Sequence, residues 1–406
     1  MLETVTPESL DMDSAQLARV REHLKTRYIE PRKIPGCLTL VARGGKPCFL
    51  DIQGHADVER GTPMREDSIL RIYSMSKPIT SLAMMTLFER GLFALDDPVH
   101  RYIPAWRELR VWSGGSYPLF ATEPARRPMT IRDLLCHTSG LTYDFMRATN
   151  IDYAYRKMQV GFPRPGYTLD AMIEELGQLP LEFSPGERWN YSLATDVLGY
   201  LIEVISGEPL QQYLQRTLFD PLGMRDTAFA IAPEQVERFA SCYERNLEKQ
   251  MVLQDDGQNS RFADVSFISG GGGLVSTLGD YHRFCQMLLG GGTLDGQRII
   301  GSRTLAYMTQ NHLPGGADMT EYATGSFSES AYEGVGFGLG FATRLDPVAN
   351  GHPASRGSFY WGGLASTLFW VDPAEELVVL FMTQLMPSST FDFRGQLENM
   401  VYAALR

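Results

Sequence analysis

The chain has 406 residues, about two to three times the size of an ordinary domain, so it can bury a large core and still form a cleft. Apolar residues make up 44% and charged residues 21% of the chain, close to the averages for globular proteins, which excludes a disordered or fibrous protein. The 37 basic and 48 acidic residues give a net charge of −11, without a cluster of Lys and Arg. We therefore expect no nucleic-acid partner, because a phosphate backbone requires concentrated positive charge.

The beginning of the chain does not resemble a secretory signal, since residues 1–16 are largely acidic and polar. The longest apolar runs, such as 376–385, are well short of the about 20 residues that a membrane helix needs. Five cysteines are scattered without a Cys-x-x-Cys pair, which is typical of reduced thiols. These features predict a cytoplasmic protein with no membrane partner.

Both ends of the chain combine helix and strand patterns. Apolar residues at helical spacing predict a helix over 13–28 and a closing helix over Asp392–Leu405. Apolar runs predict five strands, which are Cys37–Ala42, Cys48–Ile52, Phe337–Thr343, Ser366–Val371 and Leu377–Thr383. Because hairpin-linked strands pair antiparallel, we expect one antiparallel sheet of about five strands covered by the terminal helices.

The middle of the chain is mainly helical in pattern, with Pro- and Gly-rich loops between the helices. The predicted helices are 79–90, 130–136, 169–178, 194–206 and 209–217. The expected fold class is α+β, with a sheet lobe built from residues 1–78 and 236–406 and a mainly helical lobe, 79–235, inserted into it. The loops expected to line the cleft between them are 111–128, 142–168 and 315–333.

Ser74 and Lys77 form the first candidate for catalysis. An apolar stretch at helical spacing follows them, so Ser74 is predicted to lie where a helix begins. Residues three apart share a helical face, so the Lys77 amine can approach the Ser74 hydroxyl as a base approaches a nucleophile. The free N–H groups of the first helical turn can also bind an oxyanion. Taken alone, the Ser74 and Lys77 pattern fits an N-cap serine beside a solvated lysine better than a catalytic pair. Only the other motifs of the chain reverse this preference.

Two later segments carry further candidates. Tyr191 is predicted in a loop just before a helix, where its phenol can act as a base if Lys77 stabilises the phenolate. The segment Phe359–Ser366 joins two predicted strands, and its paired glycines Gly362 and Gly363 indicate a close approach of the backbone to another group. Alone, the tyrosine fits a packing residue, and the glycines fit a bulge beside a core tryptophan.

The order of these three segments favours catalytic roles over the packing roles that each segment fits when taken alone. Ser74-x-x-Lys77, then Tyr191, then Trp361-Gly362-Gly363 resembles the motif set of the serine β-lactamase, penicillin-binding-protein and family VIII carboxylesterase superfamily. Further stretches that look like that family are Leu95–Val99, Tyr102–Pro104, Leu134–Leu141 and Gly271–Thr277. The resemblance extends over residues 15–385 and implies the β-lactamase-like fold.

The resemblance also implies roles for individual residues in a covalent acyl-enzyme mechanism. Ser74 corresponds to the nucleophile, and Lys77 and Tyr191 correspond to the proton-transfer pair. The backbone N–H groups of Ser74 and Leu364 correspond to the oxyanion hole. The other residues of the third motif, implied in substrate binding, are Trp361, Gly362 and Gly363.

The sequence departs from the class C β-lactamase pattern at two positions. Leu193 stands where those enzymes carry an asparagine that holds the lactam side chain, and Trp361 stands where they carry a lysine. Loss of that lysine removes a cation that would bind a lactam carboxylate, and Trp361 offers an apolar wall instead. Both changes favour neutral, partly hydrophobic acyl groups, and Trp-Gly-Gly is typical of family VIII esterases. We therefore predict a serine carboxylesterase with a small-molecule ester substrate, and weak β-lactam binding stays open.

Several alternatives to an esterase also stay open. On the same scaffold they are a β-lactamase, a D-aminopeptidase or other amide hydrolase, and an acyltransferase. In a different class, the alternative is a ligand-binding module without catalysis.

Other catalytic signals are absent from the sequence. There is no Gly-x-Ser-x-Gly elbow, nucleotide-binding loop or dinucleotide fingerprint, so no cofactor is predicted. The histidines show no metal-binding spacing, so no metal is predicted. His137 is interpreted as structural, because nothing in its turn-like segment brings it near Ser74.

Overall fold

The structure is a computed structural model that describes residues 2–324 and 332–406. It is built around an antiparallel sheet of eight strands, which are β1 Gly36–Arg43, β2 Lys46–Asp57, β3 Thr62–Pro63, β4 Val335–Phe337, β5 Ala342–Arg344, β6 Phe359–Gly363, β7 Thr367–Asp372 and β8 Leu377–Thr383. Their order across the sheet is β4-β5-β6-β7-β8-β1-β2-β3. The two ends of the chain therefore meet where β8 pairs with β1.

Helices surround this sheet and form most of the middle of the chain. They are α1 Ser14–Leu24, α2 Ser76–Glu89, α3 Ile131–Leu135, α4 Asn150–Met158, α5 Leu169–Gly177, α6 Ala194–Ser206, α7 Leu210–Leu214, α8 Asp220–Leu222, α9 Leu278–Leu289, α10 Ser302–Met308, α11 Met319–Tyr322, α12 Pro347–Asn350 and α13 Phe393–Tyr402. Shorter strands outside the main sheet are Leu70–Arg71, Arg110–Ser116, Leu119–Pro124, Cys242–Arg245, Met251–Asp255, Val275–Ser276, Thr293–Leu294, Gln297–Arg298 and Leu385–Met386.

The central strands are buried on both faces, which explains their continuous apolar sequences. Residues opposite each other in an antiparallel pair point to the same face, and successive residues alternate. Because β7 pairs Leu368 with Phe381, the next residue, Phe369, projects from the other face. The ring of Phe381 packs on Phe393 of α13 at 4.8 Å, and the ring of Phe369 packs on Tyr281 of α9 at 5.2 Å. The sheet is therefore a middle layer between helices.

The predicted α+β fold is confirmed, with differences at the sheet edge. The sheet has eight strands rather than five, because the short strands β3, β4 and β5 carry too few residues to produce a pattern. The predicted strand Phe337–Thr343 is wrong, since Gly340, with φ of +99°, lies in a turn between β4 and β5. The segment interpreted as a connection, Phe359–Ser366, contains strand β6.

The predicted helices are confirmed within a few residues. The helix predicted over 13–28 is α1, continued by a π turn at Lys25–Ile29, and Asp392–Leu405 contains α13. The helices predicted in the middle of the chain correspond to α2, α3, α5, α6 and α7. Helix α4 and the hairpin formed by Arg110–Ser116 and Leu119–Pro124 were not predicted.

A buried ion pair attaches the sheet to α13, and its removal tests the packing of this layer. Arg344 of β5 donates to both carboxylate oxygens of Glu398 at 2.9 and 3.0 Å, and their side chains are 1% and 0% exposed. We expect Arg344→Met to lower the free energy of unfolding by about 3–5 kcal/mol, because Glu398 would keep an unpaired charge in the core. Urea unfolding followed by circular dichroism measures this loss.

The matched control for this variant is Arg216→Met. Arg216 pairs with Glu208 at the surface, where the two side chains are 56% and 37% exposed. Its replacement should change the free energy of unfolding by less than about 1 kcal/mol, because water screens such a pair. Equal losses in the two variants would contradict the structural role of the buried pair.

Candidate active site

Ser74 lies where the chain turns into helix α2, as the sequence predicts. A single 3₁₀ turn, Tyr73–Met75, precedes the first α-helical residue, Ser76. Tyr73 adopts a φ of +41°, an unfavourable angle for a residue with a side chain. Such backbone strain persists only where the surrounding structure enforces it. The strained residue directly precedes Ser74, which borders the cavity.

Lys77 makes close contacts with the other candidate catalytic groups. Its side chain is 2% exposed, and its Nζ donates to Ser74 Oγ at 3.2 Å and to the carbonyl oxygen of Gly271 at 2.7 Å. The same nitrogen lies 4.5 Å from the ring centroid of Tyr191 and 5.1 Å from that of Tyr143. Two aromatic faces and a carbonyl oxygen are surroundings suited to a cation.

Tyr191 precedes helix α6, and packing fixes its ring in place. The residue is 1% exposed and borders the same cavity as Ser74. Its ring lies 5.0 Å from the ring of His137, 5.2 Å from that of Tyr143 and 5.5 Å from that of Trp361. The structure therefore brings together the three residues that the sequence motifs nominate as nucleophile and proton-transfer pair.

His137 lies behind Tyr191, a contact that its sequence does not reveal. It is buried with a φ of +57°, and its Nδ1 lies 3.2 Å from Ser192 Oγ. Burial, together with the charge of Lys77, holds the pKa of His137 well below its usual range. The imidazole is therefore neutral at physiological pH and supports the tyrosine ring by packing.

The third motif contacts the turn that carries Ser74. A methyl group added to Gly363 would lie 2.3 Å from the carbonyl oxygen of Ile72 and from Thr367 Oγ1, so only glycine fits at this crossing. The next residue, Leu364, is 37% exposed and borders the cavity together with Ser74. The backbone of β6 is thus held directly beside the nucleophile.

Trp361 lies elsewhere than the sequence analysis expected. It is 4% exposed, its ring packs against Tyr191, and its carbonyl oxygen accepts a hydrogen bond from Arg394 at 2.9 Å. Unlike Leu364, neither Trp361 nor Gly362 nor Gly363 is among the residues that border the cavity. Trp361 therefore supports the tyrosine rather than forming the cavity wall.

The close crossing at Gly363 leads to a prediction about activity. We expect Gly363→Ala to lower kcat/KM by at least about tenfold, because the added methyl group must push β6 away from the Ser74 turn. Initial rates on an activated ester measure the effect.

Gly114→Ala is the control for the Gly363 variant. Gly114 lies in the hairpin, where the nearest atom to an added methyl group is Ala121 Cβ at 3.9 Å, so its rate should not change. An unchanged kcat/KM in a folded Gly363→Ala protein would exclude a role for this crossing.

The cavity beside Ser74 is large and mostly apolar. Its volume is about 700 Å³. The aromatic residues that border it are Tyr73, Tyr143, Phe145, Phe162, Tyr191, Phe262 and Phe267. Of the three loops expected to line it, 142–168 does so, whereas 111–128 and the described residues of 315–333 do not. Residues 325–331 of the third loop lie outside the described part of the chain. Tyr143, Phe145 and Phe162 lie in the predicted loop, whereas Tyr73, Phe262 and Phe267 belong to no motif or predicted loop and could not be found from the sequence.

Two buried neighbours of Lys77 were also missed. Gly271 falls in a stretch that was compared with the family but given no role, and it supplies the carbonyl oxygen that binds Lys77. Asp196 lies in the first turn of α6, borders the cavity and is 1% exposed. From the sequence, Asp196 could have been suspected only because it closely follows Tyr191 in the chain.

Within residues 2–324 and 332–406, no group of three or more His, Cys, Asp or Glu side chains is arranged to hold a metal ion. Over the same ranges, no helix is long and apolar enough to cross a membrane.

The fold and the site together define a serine-dependent acyl-transfer enzyme. The profile of the Beta-lactamase family matches residues 20–401. The chain belongs to the beta-lactamase family.

Its similarities to individual proteins extend over nearly the whole chain. It is 32% identical over 395 residues to Esterase EstB of Burkholderia gladioli, covering 94% of this chain and 93% of that protein. Among solved structures, "EstCE1, a hydrolase with promiscuous acyltransferase activity" has a TM-score of 0.79 at 28% identity, covering 96% of this chain and 98% of that one. A mutant of simvastatin synthase LovD from Aspergillus terreus has a TM-score of 0.81 at 26% identity, with the same coverage.

Proposed function

We propose that this protein is a serine carboxylesterase that cleaves small-molecule esters through an acyl-enzyme on Ser74. The observation that carries the proposal is the 3.2 Å contact between Lys77 Nζ and Ser74 Oγ, with Tyr191 adjacent, at the border of a large apolar cavity. A 32% identical relative that is named an esterase supports the same reaction class.

The reaction takes place in two steps. In acylation, Ser74 Oγ attacks the ester carbonyl carbon, its proton passes to the Lys77 and Tyr191 pair, and the alcohol leaves with a proton returned by the pair. In deacylation, water gives its proton to the same pair and attacks the acyl carbon, and Ser74 regains its hydroxyl proton as the acid leaves. The N–H groups of Ser74 and Leu364 hold the negative oxygen in both steps.

The cavity supports neutral, bulky acyl or alcohol groups as substrates. Leu193, which stands at the position of the class C asparagine, borders the cavity and is only 4% exposed. Gly161 packs against it so closely that an added methyl group would lie 2.8 Å from Leu193 Cδ2. This part of the wall offers no hydrogen-bonding side chain to a lactam amide.

Acyl transfer to an alcohol is the second candidate function. A structural relative at 28% identity is described as a hydrolase with acyltransferase activity, and the mostly apolar cavity favours an organic alcohol over water as the acceptor. Ester hydrolysis in the presence of 1-butanol separates the two outcomes. A butyl ester product would show acyl transfer, and acid as the sole product would exclude it for this acceptor.

We also propose that the protein functions in the cytoplasm and has the two lobes expected from its sequence. All five cysteines are buried and unpaired, which supports a reducing compartment. The arrangement of helices α3 to α7, close in sequence and outside the sheet, supports a lobe of residues 79–235 beside one of residues 1–78 and 236–406.

A panel of chromogenic substrates tests the proposed reaction. We expect turnover of p-nitrophenyl acetate, butyrate and octanoate, with the longer acyl chains favoured because they bury more apolar surface in the cavity. Nitrocefin and D-alanyl-p-nitroanilide test the lactam and amide alternatives on the same protein. Turnover of either without ester cleavage would refute the esterase proposal, and weak nitrocefin cleavage beside strong ester cleavage would agree with it.

A further inference from the structure

Asp196 is tied to Lys77 through a shared neighbour. Its Oδ1 accepts hydrogen bonds from Ser269 Oγ at 2.5 Å and from the backbone N–H of Gly271 at 3.0 Å. The carbonyl oxygen of the same Gly271 accepts the 2.7 Å hydrogen bond from Lys77 Nζ. The carboxylate and the ammonium are therefore held at fixed positions around one residue.

The space around Gly271 is filled by this carboxylate and a phenol. A methyl group added to Gly271 would lie 2.5 Å from Asp196 Oδ2 and 3.1 Å from Tyr143 Oη. Gly271 does not adopt a positive φ, so its backbone conformation does not require glycine. Glycine is required here because Asp196 and Tyr143 approach the backbone so closely.

The charges of Asp196 and Lys77 act on each other inside the protein. The pKa of Asp196 lies above its usual value, because burial raises it more than the charge of Lys77 and the donors Ser269 and Gly271 lower it. Burial also raises the pKa of Tyr143 well above its usual value, with Asp196, Tyr191 and Asp144 contributing. Lys77 thus faces one buried carboxylate and the phenol of Tyr143, whose raised pKa keeps it uncharged at physiological pH.

The other titratable groups around this cluster come from neighbouring segments. His137, behind Tyr191, is neutral because burial and Lys77 lower its pKa. Asp144 lies beyond Tyr143, with its pKa raised by burial and lowered by Arg156. The charge of Lys77 is among the causes that lower the pKa of Asp196, and it is not among the main causes that act on the pKa of Asp144.

We propose that Asp196 is a positioning residue that holds Lys77 as an ammonium ion, so that Tyr191 is the group that accepts the Ser74 proton. The inference rests on the proposed catalytic use of Ser74, Lys77 and Tyr191. Trp361 occupies the position of a class C lysine, so the cation that stabilises a Tyr191 phenolate must come from another residue. Lys77 supplies it, since its Nζ lies 4.5 Å from the centroid of the Tyr191 ring.

The proton path then has a defined direction. As the bond from Ser74 Oγ to the acyl carbon forms, the Ser74 proton moves to the phenolate oxygen of Tyr191. As the bond from the acyl carbon to the alcohol oxygen breaks, that proton moves on to the alcohol. Lys77 remains an ammonium ion throughout, and Asp196 remains its counter-charge.

The test measures how fast Ser74 reacts with a fluorophosphonate probe as a function of pH. In this reaction the Ser74 oxygen bonds to phosphorus, fluoride leaves, and the Ser74 proton goes to the Lys77 and Tyr191 pair, so no ester substrate is needed. We expect the acid limb of the rate profile to move to lower pH by about one unit in Asp196→Asn, because loss of a buried negative charge lets the pair release its proton more easily. Intact mass gives the extent of labelling.

Two further variants separate charge from structure. Asp196→Glu keeps the charge, so the acid limb of its rate profile should lie at the wild-type pH while the labelling rate is reduced. Asp280→Asn is the matched control, since Asp280 is also a buried carboxylate near the start of a helix, 8% exposed and bound to Asp226 N–H and Thr227 Oγ1. The acid limb of the Asp280→Asn profile should coincide with that of the wild type. If Asp196→Asn does not fold, Asp196→Ser removes the charge with a smaller side chain and should show the same shift.

The outcomes distinguish this inference from the proposed function. If a charge-removing variant labels more slowly but its acid limb lies at the wild-type pH, the inference is overturned and the role of Asp196 is only structural. An equal shift in Asp280→Asn would overturn it as well. A shifted limb in a protein that hydrolyses no ester would support the inference and refute the esterase, and a wild type that does not label at Ser74 would overturn both.

Discussion

Ser74→Ala is expected to lower kcat/KM for p-nitrophenyl butyrate by about 1,000-fold or more and to abolish the acyl adduct seen by intact mass. The alanine removes the only atom that can bond to the acyl carbon in this mechanism, while Lys77, Tyr191 and the cavity stay in place. Residual activity would come from binding and from the backbone N–H groups beside the acyl carbon. Initial rates together with the adduct mass measure the change.

Ser81→Ala is the matched control for this variant. Ser81 lies in helix α2, which begins just after Ser74, is fully buried, and its Oγ has no hydrogen-bond partner in the described part of the chain. Its replacement should therefore retain activity within about twofold, because it removes a buried serine hydroxyl without touching the site. If Ser74→Ala keeps more than a tenth of the rate, the nucleophile is another residue.

The Ser74 and Lys77 pair could be predicted from the sequence because the geometry that joins them is local. Three residues along a helical turn are enough to bring the two side chains together, and the separation of 3.2 Å agrees with that spacing. The central strands β7 and β8 were predictable for a similar reason, since their long apolar runs reflect burial on both faces.

The contacts that complete the site depend on tertiary structure and could not be read from local patterns. Gly271 follows Lys77 by 194 positions, and only the folded chain brings its carbonyl oxygen to the lysine. Asp196 and Tyr143 meet beside Gly271 for the same reason. Such residues have no periodicity or motif of their own, so the sequence predicts the nucleophile and leaves its surroundings undefined.

Trp361 shows a second limit of sequence reasoning. Successive residues in a strand point to opposite faces, so a strand pattern alone does not reveal which side chain meets the cavity. In the structure Trp361 lies against Tyr191, and Leu364, beyond the end of β6, borders the cavity. Packing against the tyrosine ring is therefore the contact of Trp361 that the structure shows, and its expected contact with a substrate stays a prediction.

Tyr191→Phe is expected to lower kcat by about 100-fold to 10,000-fold, the range typical of losing a general acid–base group. The phenylalanine keeps the ring contacts with His137, Tyr143 and Trp361, so the pocket shape is retained while the phenol oxygen is lost. The nucleophile Ser74 stays in place beside Lys77, so slow acylation remains possible in this variant, whereas Ser74→Ala has no nucleophile at all. Stopped-flow release of p-nitrophenol measures acylation separately from steady-state turnover.

Tyr155→Phe is the control that isolates the catalytic phenol from the general loss of a buried hydroxyl. Tyr155 lies in α4, is 1% exposed, and burial raises the pKa of its phenol above the usual value. It does not border the cavity, so its variant should keep the wild-type kcat even if its melting temperature falls. If Tyr191→Phe retained more than a tenth of kcat, Lys77 would have to be the proton acceptor. The inference that Asp196 keeps the lysine charged would then fail together with the role of Tyr191, because an ammonium ion cannot accept the proton of Ser74.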